Sequence, residues 1–599
     1  MRISRILIQN FRNFKNLDIS LSDQSVIVGE NKIGKSNLLF ALRLILDPSL
    51  PDTARQLGFE DFWDGLSRPL SKEDKIIISI EISDFDDDDN LLSILADCLV
   101  NHDPMISRLS YVFQPISGLS DDPKKESDYE FLVYGGDSPE KVISYDTRNR
   151  MPLDVMPALR DAESDLFNWR YSPLRPLLDD SSSRISPDLL SSIASKISAA
   201  NNGITEVVEI KSLAERITTK LEELVGSYQA FETKLGFTPA DTEKLIRSLR
   251  LFIDNGKRGI NEASLGSTNL LYIALRILEL EQLVDQNKRN HTFLAIEEPE
   301  AHLHPHLQRL VFQKLLRSRT NQSEEPDECE HSKFTTLILT THSPHIVSVS
   351  PIRSLIALRK TVEGNATEGV STSNLELSEN DIVDLERYID VSRGEIVFAR
   401  GILLVEGESE LYILPAICKL LGKNLDELGI TVCSVHGTNF APYIKFLGSK
   451  GLDKPFAVLT DNDPQTGKIS IGIQRLISLL PLFEPIEDLT NISTDEVKRL
   501  GKAHGLFLND HTLEVDLFKC GQHKSICKTI IELSDKGAAK KRATVWNDKP
   551  DELDIDRFLK DIEEIGKGRF AQRFSSNISG VSYPNYILDA IDYVSNKCR

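Results

Sequence analysis

Short apolar-rich runs at positions 3–8, 16–19 and 25–28 read as strands, whereas positions 35–46 carry the apolar spacing of a helix. With a further strand at 75–82 the chain opens as an α/β layer. The acidic run at 84–89 lacks the glycine and the spacing of a calcium loop and reads as a solvated turn. Between 181 and 250 the pattern changes to long helical periodicity, with stripes such as Leu189, Leu190, Ile193, Ile197 and Leu213, Ile217, Leu221, Leu224. Such a helical insertion either packs on itself or presents its stripe to a second copy. Strand and helix alternation resumes by Leu270, and the polar stretches 318–333 and 361–380 read as loops. From Gly401 onward the order is strand, acidic turn, helix at 411–421, strand at 431–435, helix at 441–448, strand at 456–460 and a second acidic turn. This predicts a compact parallel sheet with acids at its strand C-termini, where open α/β sheets place their sites.

Those two turns hold the most informative chemistry. Leu403-Leu404-Val405 runs into Glu406-Gly407-Glu408-Ser409-Glu410, and Ala457-Val458-Leu459-Thr460 runs into Asp461-Asn462-Asp463. Several carboxylates buried together are unfavourable unless a divalent cation neutralises them, and oxygen ligands suit magnesium or manganese. Glu406 and Glu410, one helical turn apart, can face one ion, while Asp461 and Asp463 close the site from a neighbouring strand end. Two ions about 4 Å apart would clamp the attacking water and the leaving 3′ oxygen of a phosphodiester.

A second phosphate chemistry lies near the N-terminus. Gly29-Glu30-Asn31-Lys32-Ile33-Gly34-Lys35-Ser36 follows an apolar strand and opens a helix at Asn37, the context a P-loop requires. Asn31, Lys32, Gly34, Lys35, Ser36 and Asn37 are its candidate nucleotide contacts; Lys35 reaches the β and γ oxygens and the Ser36 hydroxyl ligates magnesium. Another strand, 292–296, ends in Glu297-Glu298-Pro299-Glu300, placing Glu297 in the magnesium shell and Glu298 beside the attacking water. A third, 336–339, ends in Thr340-Thr341-His342, putting His342 where it senses the γ-phosphate.

These residues, with the opening Asn10-Phe11-Arg12-Asn13-Phe14, resemble the ATP-binding-cassette ATPase head of the RecF, SMC and Rad50 group. Ser264-Leu265-Gly266-Ser267-Thr268-Asn269 resembles the signature motif that completes the nucleotide site from an opposing subunit, so Ser264 and Gly266 imply a dimer or larger assembly. The downstream acids resemble a Toprim domain, and the order of motifs resembles the OLD (overcoming lysogenisation defect) family of endonucleases over nearly the whole chain. By that resemblance Glu514, in Thr512-Leu513-Glu514, is a further metal ligand, and Lys567, in Gly566-Lys567-Gly568-Arg569-Phe570, stabilises charge on the scissile phosphate. His302, His304 and His306 are left as structural. The implied fold is α/β: an ABC-type ATPase domain at 1–180 and 256–395, a helical insertion at 181–255, and a Toprim nuclease domain with C-terminal extension at 396–599. The implied cofactors are ATP with one Mg2+ or Mn2+ and two such ions at the Toprim site. The implied partners are DNA and a second copy. Family members act alone, beside a helicase as in Gabija, or as effectors held by a retron reverse transcriptase and its noncoding DNA–RNA hybrid.

Composition narrows the alternatives. The 599 residues, 40 % hydrophobic, are enough for two to four domains. No segment has the length and apolarity of a membrane span, and the N-terminus passes directly into a strand pattern, so a cytoplasmic location is expected. Seven cysteines without a CxxC pair fit free thiols rather than zinc. A net charge of −21 argues against binding nucleic acid by long-range attraction, leaving a local groove from Lys536, Lys540, Lys541, Arg542, Lys567, Arg569 and Arg573. None of the thirteen tyrosines is marked as a topoisomerase nucleophile. The expected activity is therefore an ATP-regulated DNA endonuclease for antiphage defence, the competing reading being a non-cutting ATP-dependent DNA clamp or sensor.

Overall fold

The computed structural model describes residues 1–599 except 120, 159–161, 169–171, 226–230, 238–245, 318–334, 362, 391–392, 466–467, 484–491, 581 and 599. The expected loop at 318–333 lies outside the described residues.

The helix Lys35–Leu46 is buried almost all round, with Leu38, Leu39, Ala41, Leu42, Leu44 and Ile45 inside, because it lies between two sheets. One sheet is antiparallel, ordered Phe14–Ser20, Arg2–Phe11, Ile76–Ser83, Met105–Pro115, with Leu99–His102 and Tyr129–Gly135 both on the last. The other runs Thr367–Ser371, Leu355–Lys360, Ser25–Gly29, Thr335–Thr341, Thr292–Glu297, Leu153–Met156 and is parallel except at its first pair. Its central strands are apolar on both faces, as a sheet covered on both sides requires. The strand Thr367–Ser371 corrects the expectation of a loop across 361–380. Its residues carry little apolar signal, and its pairing with Leu355–Lys360 is what makes it a strand.

A third, fully parallel sheet carries the C-terminal third, ordered Ile430–Ser434, Gly401–Val405, Phe456–Thr460, Leu506–Leu508. Gly401–Val405 and Phe456–Thr460 are buried along their full length. Helices Glu408–Leu420, His523–Leu533, Ile555–Ile565, Lys567–Asn577 and Asn585–Lys597 close one core against them. No described helix is long and apolar enough to cross a membrane.

By contact density the chain divides otherwise than at 181, 256 and 396. Residues Met1–Ala158, His291–Glu300 and His304–Arg599 form one unit holding both parallel sheets. Within it Arg400, just ahead of the strand Gly401–Val405, makes a bidentate pair with Glu30 of the P-loop at 2.7 and 3.1 Å, and Arg359 pairs with Asp453 at 2.5 Å. The second unit, Leu159–Asn290 with Ala301–Leu303, takes in the helix Leu265–Asp285, because Leu271, Tyr272 and Leu275 pack with Leu166, Leu174 and Leu177. In the same unit the helices Pro187–Thr205 and Val208–Val225 leave Leu189, Ile193, Leu213, Ile217 and Leu224 exposed, so that stripe is not an internal core.

A Cβ on Gly472 would lie 2.5 Å from the Asp461 carbonyl oxygen and 2.5 Å from Leu508 Cδ1, whereas one on Gly203 meets nothing within 4 Å. Gly472→Ala is therefore expected to destabilise the protein by about 1–3 kcal/mol. Gly203→Ala, inside a helix, is expected to stabilise its region by about 0.5–1 kcal/mol. Thermal unfolding of the two variants, which should shift in opposite directions, checks both.

Candidate functional site

Both parallel sheets of the first unit end in clusters of buried polar groups. At the P-loop, Gly34 has φ +108°, and a Cβ there would lie 2.1 Å from Asn13 Nδ2. Asn13 donates to the Ile33 carbonyl at 2.7 Å and accepts from Asn37 at 2.7 Å, while Arg12 donates to the Asn37 side chain at 2.9 Å. The opening Asn10–Phe14 motif is thus a brace for the loop. Asn37 holds its side chain in that brace, and Asn31 and Lys32 are exposed.

Lys35 Nζ donates to the carbonyls of Gly29 and Glu30, both at 3.1 Å, and lies 2.6 Å from His342 Nε2. Burial, followed by the Lys35 cation, lowers the His342 pKa against the opposing field of Glu298, so the imidazole is neutral and accepts from Lys35. Burial likewise lowers Lys35 against Glu298, Glu300 and Glu297. Glu297 is raised by burial and receives the Ser36 hydroxyl, which brings the two expected magnesium-shell residues together. Glu298, at left-handed φ 42°, sits 3.6 Å from His342. Sequence reasoning gave Glu300 no role. Its Oε1 accepts from the His342 backbone at 2.7 Å and from Thr341 Oγ1 at 2.9 Å, so it positions the loop carrying His342. Glu300 Oε2 is buried without a hydrogen-bond partner among the described residues.

In the second unit Ser264 caps the helix Leu265–Asp285 by accepting from Ser267 N at 3.2 Å. A Cβ on Gly266 would come within 2.5 Å of the His302 carbonyl oxygen, which explains glycine there. His302, His304 and His306 form no metal-holding group among the described residues.

The C-terminal parallel sheet gathers Glu406, Glu410, Asp461 and Glu514. Glu406 Oε1 accepts from Arg475 Nη1 at 2.5 Å, from Asp461 N at 2.8 Å and from the Thr460 hydroxyl. Glu410 is 8 % exposed; burial, then the fields of Glu514 and Glu406, push its pKa up to about 7. Asp461 is raised well above the usual carboxylate range by burial and by Glu406, Glu410 and Glu514, opposed by the amide of Asn509. Glu514 is buried and accepts from Ser409 Oγ at 3.1 Å. Lys567 begins the helix Lys567–Asn577. Burial lowers its pKa, but Glu514, Asp461, Glu563 and Glu410 outweigh that and raise it, so it is a cation facing the cluster. Asp463 follows beyond the strand end with a left-handed backbone at φ 46°.

Arg475, Asn509 and Tyr586 escaped sequence reasoning. Arg475 lies in the apolar helix Ile471–Leu479, where one buried arginine among leucines and isoleucines was the available signal. Asn509 follows the three-residue strand Leu506–Leu508, too short to register as a period. Tyr586 comes from the C-terminal helix; burial and the fields of Asp461, Asp516 and Glu410 raise its phenol, so it stays protonated, unlike an activated nucleophile. Of the expected basic groove, Arg542 pairs with Asp561 at 2.5 Å, Arg573 with Glu532 at 2.7 Å and Lys536 with Glu564 at 2.9 Å. These three are thereby partly spent on acids. Among the described residues Lys540, Lys541 and Arg569 have no ion-pair partner.

The four gathered acids fit hard divalent cations by donor chemistry, since carboxylates that raise one another's pKa store repulsion that such a cation relieves. Among the described residues no three potential ligands converge on one ion position.

A P-loop ATPase sheet joined to a parallel sheet with an acid cluster at its strand ends defines an ATPase linked to a Toprim nuclease domain. A family model described as AAA ATPase domain matches residues 1–134 and 155–347, more than half of the chain. One described as overcoming lysogenization defect protein-like, TOPRIM domain, matches residues 397–463. The chain belongs to the AAA ATPase domain family and, with its Toprim domain, to the OLD nucleases. It is similar to endonuclease GajA of Bacillus cereus (strain VD045), 24% identical over 541 residues covering 86% of this chain and 85% of that protein. It is also similar to the OLD nuclease of Thermus scotoductus (strain ATCC 700910 / SA-01), 24% identical over 486 residues, 77% of this chain and 82% of that protein. Among solved structures, the C-terminal region of the Burkholderia pseudomallei OLD protein is 42% identical, covering 34% of this chain and 100% of that one, with a TM-score of 0.32.

Glu410 titrates near pH 7 when folded, against an ordinary value of 4.5, so the folded protein holds a proton the unfolded chain releases. The resulting destabilisation is absent below the ordinary value and complete above the folded one. In chelator, the melting temperature should fall between about pH 5 and about pH 8 more steeply for the wild type than for Glu410→Gln. Parallel melting curves across that range check the sign.

Proposed function

We propose that this chain is an ATP-regulated, divalent-metal-dependent DNA endonuclease that acts in the cytoplasm in defence against phage. The observation that supports it most is the buried cluster of Glu406, Glu410, Asp461 and Glu514 with the Lys567 cation facing it. Glu406, Glu410, Asp461 and Glu514 hold Mg2+ or Mn2+, with Asp463 joining from the mouth of the site. A bound divalent pair supplies charge neutralisation and activation of water for in-line phosphodiester hydrolysis. Lys567 meets the charge that develops on the scissile phosphate.

At the other site the P-loop backbone around Asn31, Lys32, Gly34 and Asn37 cradles the ATP phosphates. Lys35 exchanges its contacts with Gly29, Glu30 and His342 for phosphate oxygens, Ser36 and Glu297 hold the accompanying Mg2+, Glu298 orients water, and His342 faces the γ-phosphate. Ser264 and Gly266 of a second copy complete the pocket, so heads pair as a homodimer or higher oligomer. The similarity to GajA supports a Gabija-like arrangement beside a helicase over one with a reverse transcriptase.

The test is cleavage of supercoiled plasmid with Mg2+ or Mn2+, with ATP binding measured in parallel. Glu406→Ala and Asp461→Ala should each cut cleavage by at least about a hundredfold and leave ATP binding intact, whereas Lys35→Ala should lose ATP binding; Lys567→Ala should cost about 100- to 1,000-fold in cleavage. Cleavage retained in Glu406→Ala and Asp461→Ala would refute the assignment. ATP-dependent DNA binding without cleavage by the wild type would favour the clamp.

A further inference from the structure

The contacts of Glu406 are one-sided. Its Oε1 takes three donors: Arg475 Nη1 at 2.5 Å, the Asp461 backbone N–H at 2.8 Å and the Thr460 hydroxyl. A carboxylate oxygen offers about two lone-pair sites, so Oε1 is saturated. Oε2 has no hydrogen-bond partner among the described residues. Arg475 Nη1 also contacts the Thr460 hydroxyl and lies 3.3 Å from the Asp461 carbonyl oxygen, so its place is set by the strand end as well as by the carboxylate. The Arg475 side chain is 9 % exposed, and that of Glu406 18 %. A buried arginine held from three directions does not swing away cheaply.

From this geometry we infer that Arg475 is a positioning residue for metal binding: it locks Glu406 through Oε1 and leaves Oε2 as the single oxygen offered to a cation. The inference rests on Glu406 being a metal ligand. Arg475 plays the part that outer hydrogen-bond donors play for ligating carboxylates elsewhere, fixing rotamer and orientation before the ion arrives. Arginine suits the task because its guanidinium stays charged when desolvated, which a lysine does less well. The alternative is that Arg475 occupies the cation's own place and must be expelled. It makes the opposite prediction, since removing a competitor tightens binding.

The experiment measures Mn2+ binding to the full-length, nucleotide-free protein, by the paramagnetic resonance of the free ion, for wild type, Arg475→Gln, Arg475→Lys, Thr460→Val and Glu406→Gln. Loss of an outer-sphere partner is expected to weaken Mn2+ affinity about 10- to 100-fold in Arg475→Gln, with partial recovery in Arg475→Lys. Thr460→Val, close in shape, removes one Oε1 donor and one of the groups that hold Arg475 while keeping the guanidinium itself; it should weaken affinity in the same direction and remains informative if Arg475→Gln does not fold. ATP binding should be unchanged throughout, which a general loss of structure would not allow. Unchanged or tighter Mn2+ binding in Arg475→Gln, or unchanged binding in Thr460→Val, overturns the inference. If Glu406→Gln binds Mn2+ as the wild type does, the metal-site reading itself fails and the inference falls with it; if Glu406→Gln loses Mn2+ while the other variants keep it, only the role of Arg475 is refuted.

Discussion

Four largely buried carboxylates, two just past adjacent parallel strands and two on the helices that follow, are the constraint on which the C-terminal third is built. Burial drives Glu410 and Asp461 toward protonation, and each acid worsens the position of the next. The fold meets this cost with a small set of fixed groups: Arg475 on Glu406, Asn509 on Asp461, Ser409 on Glu514 and the Lys567 cation across the cluster. The positive charges are fewer than the carboxylates. That shortfall is the repulsion a divalent cation would relieve in the function proposed for this site.

The same physical plan appears twice in one unit. In each parallel sheet, apolar strands buried on both faces end in acids beside a single buried cation, Lys35 at the P-loop and Arg475 at the Toprim site. Both cations are held by polar groups of the chain itself, Lys35 by carbonyls and His342, Arg475 by Glu406 and the end of its strand. The two sites are also tied. Glu30 of the P-loop grips Arg400, and the next residue begins the strand that ends at Glu406. That pair is half exposed, and such pairs contribute only about 0–1 kcal/mol to stability, so its interest is its position rather than its strength.

Much of this was legible in the sequence because strand-end chemistry is local. The P-loop, Glu297 and Glu298 after one strand, His342 after another, and Glu406, Glu410 and Asp461 after two more all sit where an apolar run stops and polar residues begin. Glu514 and Lys567 could be located only by resemblance, since they reach the cluster from elements 100 or more residues beyond Glu406. Arg475 and Asn509 were illegible for different reasons. A lone arginine in an apolar helix was a signal that something polar is buried there but not of which carboxylate it meets, and a three-residue strand leaves no period to detect. Asp463 lies three residues past the end of its strand, where the backbone turns left-handed, a detail that no periodicity reveals. The helical stripe of the second unit was visible as a stripe, but its exposure in the single chain is a tertiary fact.

The central claim is that Glu406, Glu410, Asp461 and Glu514 form a divalent-metal site. It is tested most directly by anomalous scattering from crystals of the protein soaked in Mn2+. The account predicts manganese peaks within about 2.0–2.6 Å of carboxylate oxygens of this cluster, with Glu406 coordinating through Oε2 while Arg475 stays on Oε1. Saturating Mn2+ that leaves the cluster without a peak, its carboxylates still held by protons and by Arg475 and Asn509 alone, would contradict it.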